Sequence, residues 1–417
     1  MPTSVNIDIR SISLRHLKAI VRVAEVQNIT RAAVTLRRSQ TAITKSISEI
    51  EGQVGVKLFD RTSKGVTPTT QGDILVRRTR SALAAFQVAA NIFLQMKGGN
   101  VNVITNPVFS MDISSKRLMA LVALTEHRDV RKASAAIQVT RAAIYNSIRE
   151  LEALLDIKLF QRKPGNMVPE DFTMILVRQI KLAFSEIHRG LEELENLDGG
   201  TVKGKIVIGS LPLARTMLLP RAINHILKDH PDLNIQTREG PYDVLESGLR
   251  SGEIDMIIGA LRHFDETSDL KTEALFEERL IIVTRKHHPL TKEKNLTIND
   301  VLDHQWVLPP KNTPARAVFD DIIQKKALEN PDIFIETSSL ATLRGLLLGS
   351  DRIALISEHQ LFYEIQFGML SALPIELTGT YRPIGITMRS NTTPSPAAYL
   401  FYESLRNVAD NVQPKVA

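Results

Sequence analysis

The sequence has no cysteine, one tryptophan and an aromatic content of 5% over 417 residues. The missing thiols exclude disulfides and thiolate metal sites, and they fit a reducing compartment. No run of about eighteen uncharged apolar residues occurs, so no membrane-spanning helix is predicted. Charged side chains within the first twenty residues argue against a secretory signal peptide. We therefore expect a cytoplasmic chain, long enough for two to four domains at roughly 150 residues each.

Motifs of the common enzyme classes are missing as well. There is no phosphate-binding P-loop, no GxGxxG after a strand and no GxSxG. His287 and His288 precede Pro289, but no further ligand follows at a spacing that suits a metal, so a turn is the simpler interpretation. The sequence predicts no catalytic residue, no metal site and no cofactor. An enzyme is the weakest of our interpretations.

Positive charge is concentrated near the N-terminus. Residues 1–100 contain 15 basic and 6 acidic side chains, a net +9, whereas residues 101–200 are neutral and residues 201–417 carry a net −3. A basic block on a neutral-to-acidic remainder suggests a polyanion as the partner of that block. A solvated basic face is the alternative that charge alone leaves open.

The N-terminal half contains an internal repeat with a period of 101 residues. The aligned segments are LKAIVRVAE (17–25) with LMALVALTE (118–126), TAITKSISEIE (41–51) with AAIYNSIRELE (142–152), and VKLFDR (56–61) with IKLFQR (157–162). Two copies are too few for a solenoid, so each copy is predicted to be a small domain. We place copy one at residues 1–97, a linker at 98–112 and copy two at 113–198.

Each copy is predicted to contain three helices, a short extended segment and a long helix. Asn28 and Ser39 can cap the second and third helices of copy one, and Asp129 and Thr140 can cap those of copy two. The long helix of copy two repeats apolar residues at steps of three and four from Val177 to Leu194, which is typical of a coiled coil. This seam predicts a homodimer or homotetramer through residues 173–197. Packing on its own domain is the alternative.

After Gly200 the pattern alternates between strands and helices, and it does so twice. Such alternation predicts parallel, doubly wound sheets. We place this domain at residues 203–417, with lobe I at about 203–265 and 378–417 and lobe II at about 266–377. Two α/β lobes in one region suggest a hinged binding protein with a ligand cleft between them.

The third helix of each copy has the place of the DNA-contacting helix in a helix-turn-helix. Glutamine can pair with adenine, serine and threonine with either kind of base, and lysine with guanine or phosphate. The candidate DNA contacts of copy one are Ser39, Gln40, Thr41, Thr44, Lys45 and Ser48 on this helix, with Arg61 and Lys64 after it. A three-helix domain with an ordinary polar face is the alternative.

Copy one resembles the N-terminal signature of LysR-type transcription regulators. The matching segments are NITRAAVTLRRSQTAITKSISEIE (28–51), GVKLFDR (55–61) and TPTTQG (67–72). Thr44 and Ile50 depart mildly from the family's serine and leucine. The C-terminal half resembles the family's effector domain through IG (208–209), LP (219–220), GEID (252–255), HPL (288–290) and IALISE (353–358). The resemblance covers nearly the whole chain, although a family member normally has one winged helix; a duplicated, monosaccharide-responsive subset looks closest.

The resemblance implies a fold class and a set of roles. The fold class is multidomain α+β and α/β: two winged helix-turn-helix domains with long linker helices, then a two-lobed, periplasmic-binding-protein-like α/β effector domain. Gln40, Thr41, Thr44 and Lys45 match the base-contacting face. The effector would lie between the lobes near Ser210, Leu211, Leu213, Pro241, Tyr242, Pro310, Ser338 and Ser339. The last two precede a predicted helix, whose free N–H groups suit an anion or a polar ligand, and the alternative is that both serines are only caps.

Copy two departs further from this signature. Arg141 replaces the glutamine, Tyr145 replaces the residue at Thr44, and Asp156 replaces the glycine, while the hairpin segment lacks the family's threonines and glycine. Acidic residues near a phosphate backbone oppose binding. The candidate DNA contacts that remain are Arg141, Asn146, Arg149 and Arg162. A second DNA contact and a structural spacer are both open, and the sequence favours the contact slightly.

The sequence therefore predicts a bacterial regulator that binds double-stranded promoter DNA in the cytoplasm, at the nucleoid. Basic residues of copy one supply affinity, the third helix supplies sequence choice, and a small-molecule effector shifts the lobes. The main rival is a ligand-binding module whose winged helices contact other proteins.

Overall fold

The computed structural model describes residues 11–62, 65–99, 101–197, 200–265, 267–311, 313–331, 334–377, 379–390 and 392–411. These residues divide into two compact units, the first formed mainly by residues up to Lys203 and the second by residues from Gly204 onward. In the described part of the chain, no helix is long and apolar enough to cross a membrane.

The first unit contains the same order of elements twice. Copy one comprises α1 (Leu14–Val26), α2 (Ile29–Thr35), α3 (Gln40–Val54), β1 (Phe59–Thr62), β2 (Gly65–Pro68) and α4 (Thr70–Met96). Copy two comprises α5 (Ser115–His127), α6 (Val130–Ala136), α7 (Arg141–Leu155), β3 (Phe160–Lys163), β4 (Asn166–Pro169) and α8 (Asp171–Glu195). Every element of copy two begins 101 residues after its counterpart, as the repeat predicts.

The predicted helix caps are confirmed in both copies. Ser39 Oγ accepts the Ala42 N–H at 3.1 Å, and Thr140 Oγ1 accepts the Ala143 N–H at the same distance. Asn28 and Asp129 cap α2 and α6 in the same way. Each cap satisfies an N–H that has no partner within its helix, so the caps fix where α3 and α7 begin.

The two long helices pack against each other and run antiparallel. Phe172 at the start of α8 lies 5.0 Å from Phe93 near the end of α4, measured between ring centroids. At the other end, Arg78 of α4 pairs with Glu186 and Glu193 of α8. The apolar seam of α8 is therefore covered by α4 of the same chain, and Ile180 is fully buried there. The prediction of a homodimer or homotetramer through residues 173–197 loses its basis, because the seam already has an intramolecular partner.

A further expectation about this unit is corrected. The predicted linker at 98–112 packs into the hydrophobic core, where Val108 and Met111 are fully buried, and both copies share that one core rather than forming separate domains. The hairpin of copy two is also complete. Its strands pair from Phe160 with Pro169 to Lys163 with Asn166, in the same register as the hairpin of copy one. Losing the signature threonines and glycine has not removed the wing.

The second unit contains two five-stranded sheets with helices around them. Its first lobe is built from β5 (Gly204–Ser210), α9 (Leu218–Asp229), β6 (Leu233–Glu239), α10 (Tyr242–Arg250), β7 (Met256–Ala260), β8 (Leu270–Glu278), β14 (Arg382–Arg389) and α14 (Pro396–Asp410). Its second lobe is built from β9 (Leu280–Arg285), β10 (Trp306–Leu308), α11 (Pro314–Lys325), β11 (Phe334–Glu336), α12 (Leu340–Leu348), β12 (Ile353–Ser357), α13 (Phe362–Gln366) and β13 (Leu370–Ala372). The strand orders are β6-β5-β7-β14-β8 and β11-β10-β12-β9-β13.

Both sheets are mixed rather than purely parallel. Strands β5, β6 and β7 are parallel, but β14 runs antiparallel to both β7 and β8. In the second sheet, β9 runs antiparallel to β12 and β13. Because β8 lies in the first sheet, the chain crosses between the lobes at Arg279, and the predicted boundary at residue 265 is too early. The outer limits of the predicted domains stay predictions.

Candidate nucleic-acid interface and effector cleft

The first turns of α3 present the polar face that the sequence predicts. Gln40, Thr41, Lys45 and Ser48 are exposed, and Thr44 is half-buried. The opposite face, with Ile43 and Ile47, is buried in the core. Ser39 is committed to its cap, so its hydroxyl is a positioning group for this helix. The Lys45 side chain is 75% exposed, and its ammonium nitrogen lies 3.7 Å from the Glu49 carboxylate. A loose, solvated pair of this kind yields readily to a phosphate.

The hairpin of copy one follows this helix in the chain. Arg61 is exposed on β1, opposite Val66 on β2. The Val66 N–H donates to the carbonyl of Gln27 at 3.1 Å, which fixes the hairpin to the end of α1. Lys64 lies outside the described residues.

In copy two, α7 presents Arg141, Asn146 and Arg149 to solvent. Arg162 of β3 donates to the Tyr145 hydroxyl at 3.3 Å, and its guanidinium lies 5.7 Å from the centroid of that ring. The structure thus brings Arg141 and Arg162 together with Tyr145 at one surface. Arg149 lies two turns further along α7.

A concave cleft of about 290 Å³ opens between the start of α7 and the hairpin of copy two. Five basic residues line it: Arg128, Arg131, Arg141, Arg162 and Lys163. Sequence reasoning missed Arg128, Arg131 and Lys163. The 101-residue alignment could have found them, because copy one has Gln27, Thr30 and Thr62 at these positions.

The cleft contains one acid, and helix capping holds it. Asp129 Oδ1 accepts the N–H groups of Lys132 at 2.9 Å and Arg131 at 2.8 Å. These backbone donors, that of Lys132 most, lower the pKa of the Asp129 carboxyl. The carboxylate is therefore aimed at the start of α6 rather than at the guanidinium groups.

The predicted effector residues of the first lobe lie at the carboxyl ends of parallel strands, where open α/β sheets bind ligands. Ser210 ends β5, Leu211 and Leu213 follow it, and Pro241 and Tyr242 follow β6. The Ser210 hydroxyl is buried, and no side chain or backbone group of the described residues bonds to it.

Two arginines that were not predicted border this edge of the lobe. The Arg262 guanidinium lies 3.7 Å above the Tyr242 ring. Arg215 donates to the backbone carbonyl of Ser210 at 2.8 Å and pairs with Glu239 at 3.0 Å. Burial lowers the pKa of Arg215, and Glu239 opposes that effect.

In the second lobe, Pro310 follows β10, and Ser338 and Ser339 follow β11. Ser339 caps α12, with its hydroxyl accepting the Thr342 N–H at 3.2 Å. Ser338 is exposed and does not cap the helix. The two serines therefore differ. Ser339 has the helix-capping role that was the alternative to effector binding, whereas Ser338 does not cap the helix.

A buried carboxylate marks the crossover between the lobes. Glu278, the last residue of β8, accepts hydrogen bonds from Ser357 of the second lobe and from Arg382 of the first. Nearby, Thr216 of the first lobe donates to the Gln360 carbonyl at 3.2 Å. Sequence reasoning missed these contacts, because their partners are separated by 79 to 144 residues. Within the described residues, no group of histidine and acidic side chains could hold a metal ion.

Comparison with known proteins agrees with this architecture. Residues 14–73 and 115–170 both match the family model described as "Bacterial regulatory helix-turn-helix protein, lysR family", and residues 199–410 match "LysR substrate binding domain". The HTH-type transcriptional regulator GalR of Pseudomonas putida is 33% identical over 402 residues, covering 96% of this chain and 98% of that protein. The regulator YdcI of Escherichia coli is 28% identical, covering 72% of this chain and 97% of its own.

Solved structures share the fold. A full-length OxyR from Pseudomonas aeruginosa superposes with a TM-score of 0.55 at 20% identity, covering 70% of this chain and 97% of its own. CbnR gives a TM-score of 0.51 at 16% identity, over 70% of this chain and 98% of its own. The predicted fold class is confirmed, with helix-turn-helix domains followed by a two-lobed α/β domain. The chain belongs to the LysR family of transcriptional regulators, a family of DNA-binding, effector-responsive proteins that are not enzymes.

Proposed function

We propose that the chain is a transcriptional regulator in which copy one selects the promoter sequence and a small polar molecule bound between the lobes controls the outcome. The observation that carries the first part is the exposed start of α3. Gln40, Thr41 and Ser48 are exposed there and have no partner in the described chain, and Arg61 is exposed on the hairpin. Side chains of these types pair with base edges and phosphates.

We further propose that the two winged helices arose by tandem duplication and act together. Support comes from the shared 101-residue offset of every element. It also comes from the relatives: GalR matches 96% of this chain, whereas YdcI and PcaQ match 72% and 71% while nearly all of their own length is covered. Those shorter matches leave room for one copy only. Because α4 packs on the seam of α8, we place the interface of any homodimer or homotetramer at another surface.

For the effector we propose a monosaccharide, the class that the sequence resemblance suggests. Hydroxyl groups of Ser210, Tyr242 and Ser338 stand at the carboxyl ends of the strands, and sugars are bound by such groups and by arginine. Binding across both lobes would shift the lobes about the crossover at Arg279.

The DNA proposal is tested by selecting duplexes from a random pool with the full chain and measuring their affinity by fluorescence anisotropy. Replacing Gln40 by Ala removes a bidentate base contact worth about 1–3 kcal/mol. We expect roughly a five- to hundredfold loss on the selected duplex and no change on a random one. Gln87→Ala, at an exposed site on α4, is the matched control. If no duplex is enriched over random sequence, the protein-contact function takes the place of this proposal.

The effector proposal is tested by thermal denaturation with glucose, galactose or arabinose, and with small carboxylic acids as the competing class. A bound sugar raises the melting temperature of the second unit by mass action. Ser338→Ala is expected to reduce that rise. Ser371→Ala, on β13 at the opposite edge of the same sheet, is expected to leave it unchanged. A rise with carboxylates alone contradicts the sugar class and keeps the effector site.

A further inference from the structure

The cleft of copy two differs in charge from the same place in copy one. Four positions that are neutral in copy one are basic in copy two: Arg128 replaces Gln27, Arg131 replaces Thr30, Arg141 replaces Gln40, and Lys163 replaces Thr62. Arg61 and Arg162 keep the charge in both copies, and Gly165 replaces Lys64. The surface that in copy one suits base edges has become a cluster of cations in copy two.

Three of these cations have no carboxylate partner among the described residues. No carboxylate of the described residues pairs with Arg128, Arg141 or Lys163. By contrast, Arg117 and Lys158 of the same copy lie outside the cleft and have carboxylate partners, Glu150 and Glu152. Asp129, which replaces Asn28 of copy one, offsets part of this charge, but five cations around one acid still repel one another, so the cleft is arranged for an anion rather than for its own stability.

The shape of the cleft favours a backbone phosphate over a base edge. The Tyr145 ring takes the place of the small Thr44 side chain, and its hydroxyl is already bonded to Arg162. The Met167 N–H of the hairpin donates to the Arg128 carbonyl at 2.8 Å, which holds Arg128 at the rim with a left-handed φ of 53°. Gln27 of copy one has the same bond and a φ of 50°, so the backbone is unchanged and only the charge differs.

The antiparallel pairing of α4 and α8 sets where this cleft lies relative to α3. Helix α1 packs on α4 as α5 packs on α8, so each copy sits on its long helix in the same way. Two like units on antiparallel helices are related by a rotation of about 180° perpendicular to the plane of the pair. Equivalent surfaces that face along this axis lie on the same side of the pair. A duplex that spans the exposed face of α3 and the cleft beside α7 requires both to face that way.

We propose that the cleft of copy two binds phosphates of the same DNA whose bases copy one contacts, so that a single chain covers an asymmetric site. One half of that site is chosen by sequence and the other is held through its backbone. The inference rests on the proposed function, and it adds Arg128, Arg131 and Lys163 to the DNA interface.

The test converts the cleft to its copy-one composition with Arg128→Gln, Arg131→Thr and Lys163→Thr in the full chain. The logarithm of affinity falls linearly with the logarithm of salt concentration, and each lost phosphate contact reduces the magnitude of that slope by about 0.9. We expect the magnitude to be smaller by about 2 to 3 in the triple variant. The affinity should fall equally on the selected duplex and on a random duplex. The ratio between the two duplexes should stay that of the wild type.

Lys116→Gln, at an exposed position of α5 outside the cleft, is the control for general loss of charge. Mutating the selected duplex in blocks provides an independent measurement, since only one half should be sensitive to sequence. A wild-type salt slope in the triple variant overturns the inference. So does a palindromic selected site, or a stabilisation of the wild type by inorganic phosphate that vanishes in the variant while DNA affinity is kept.

The failure of the proposed function has a different signature. It shows as a wild-type chain that enriches no duplex, or as a Gln40→Ala variant that keeps full selectivity. Both of these results are obtained without the cleft variants, so they separate a failure of the proposed function from a failure of the cleft inference.

Discussion

Copy one and copy two have the same helices and strands at the same offsets, yet their exposed surfaces have different chemistry. The positions that agree are buried: Ile43 with Ile144, Ile47 with Ile148, and Leu58 with Leu159. The positions that disagree are exposed around the third helix and the hairpin. The comparison teaches that residues exposed beside the third helix and the hairpin can be exchanged, four of them from neutral to basic, without changing the register of a strand.

The long helices differ in a way that explains why they pair with each other. Arg78 of α4 is buried against Glu186 and Glu193 of α8, and Glu186 also accepts from Arg189 at 2.8 Å. The counterparts of these four residues at the other end of the pair are Gln179, Ala85, Ile92 and Val88. Two α8 helices from different chains would bury the glutamates without Arg78. A buried polar group of this kind specifies the partner and the register of paired helices.

The largest effect is expected from breaking that ion cluster. Arg78 is 1% exposed, and Arg78→Ala leaves Glu186 and Glu193 buried with less compensation, at a cost of about 3–5 kcal/mol. Urea unfolding followed by far-UV circular dichroism measures this loss. Trp306, the single tryptophan, lies in the second unit, so its fluorescence serves as an internal control and should not shift.

Arg77→Ala is the matched variant for this prediction. Arg77 pairs with the same Glu193 at 2.5 Å, but its side chain is 45% exposed. Exposed pairs contribute about 0–1 kcal/mol, so a small change is expected. Equal effects at Arg77 and Arg78 would mean that the buried cluster has no special part in pairing the copies.

A smaller effect on the free energy of unfolding is expected at the start of the long helices, where Gly72 of copy one and Thr173 of copy two pack differently. At the start of α4, Gly72 lies so close to the Leu58 carbonyl that a Cβ would overlap it. At the same position in copy two, Thr173 fits, and its hydroxyl donates to the Leu159 carbonyl at 2.6 Å. Gly72→Ala should therefore cost about 1–3 kcal/mol through overpacking. Thr173→Ala should cost about 0.5–1.5 kcal/mol through one lost hydrogen bond.

The urea midpoints of these two variants check the prediction, again by circular dichroism against Trp306 fluorescence. If Gly72→Ala is tolerated as well as Thr173→Ala, the backbone at the start of α4 relaxes easily. The signature glycine of copy one would then have no packing role.

Local and repeated features of this fold could be predicted from the sequence. The caps at Asn28, Ser39, Asp129 and Thr140 follow from residue type and helical periodicity, and the 101-residue repeat transferred each element from copy one to copy two. Each of these signals can be recognised in the sequence without knowing which distant segments meet in the fold.

Long-range pairing could not be predicted in the same way. The seam from Val177 to Leu194 shows that α8 needs an apolar partner, but not whether that partner comes from the same chain. Strand β8 belongs to the first sheet only because β14, more than a hundred residues later, returns beside it. Arg128 and Lys163 of the basic cleft likewise meet only when the hairpin folds back to α5, although the 101-residue alignment already shows that both positions are basic in copy two alone.

The smallest effect is a pH dependence that copy one has and copy two lacks. His16 Nδ1 lies 3.1 Å from Glu49, and the same place in copy two holds the permanently charged Arg117 with Glu150. Burial lowers the pKa of His16 most, with Arg38, Lys45 and Arg15 adding to it and Glu49 opposing. The unfolded chain takes up the proton first, near its pKa of about 6.5, so stability is lost as the pH falls through that value and then through the lower native one.

We expect the urea midpoint of the first unit to drop more between pH 7.5 and 5.5 in the wild type than in His16→Gln. Other groups titrate equally in both proteins. A wild-type drop no larger than that of the variant would therefore show that burial does not lower the pKa of His16. The two copies would then not differ in pH dependence at this position.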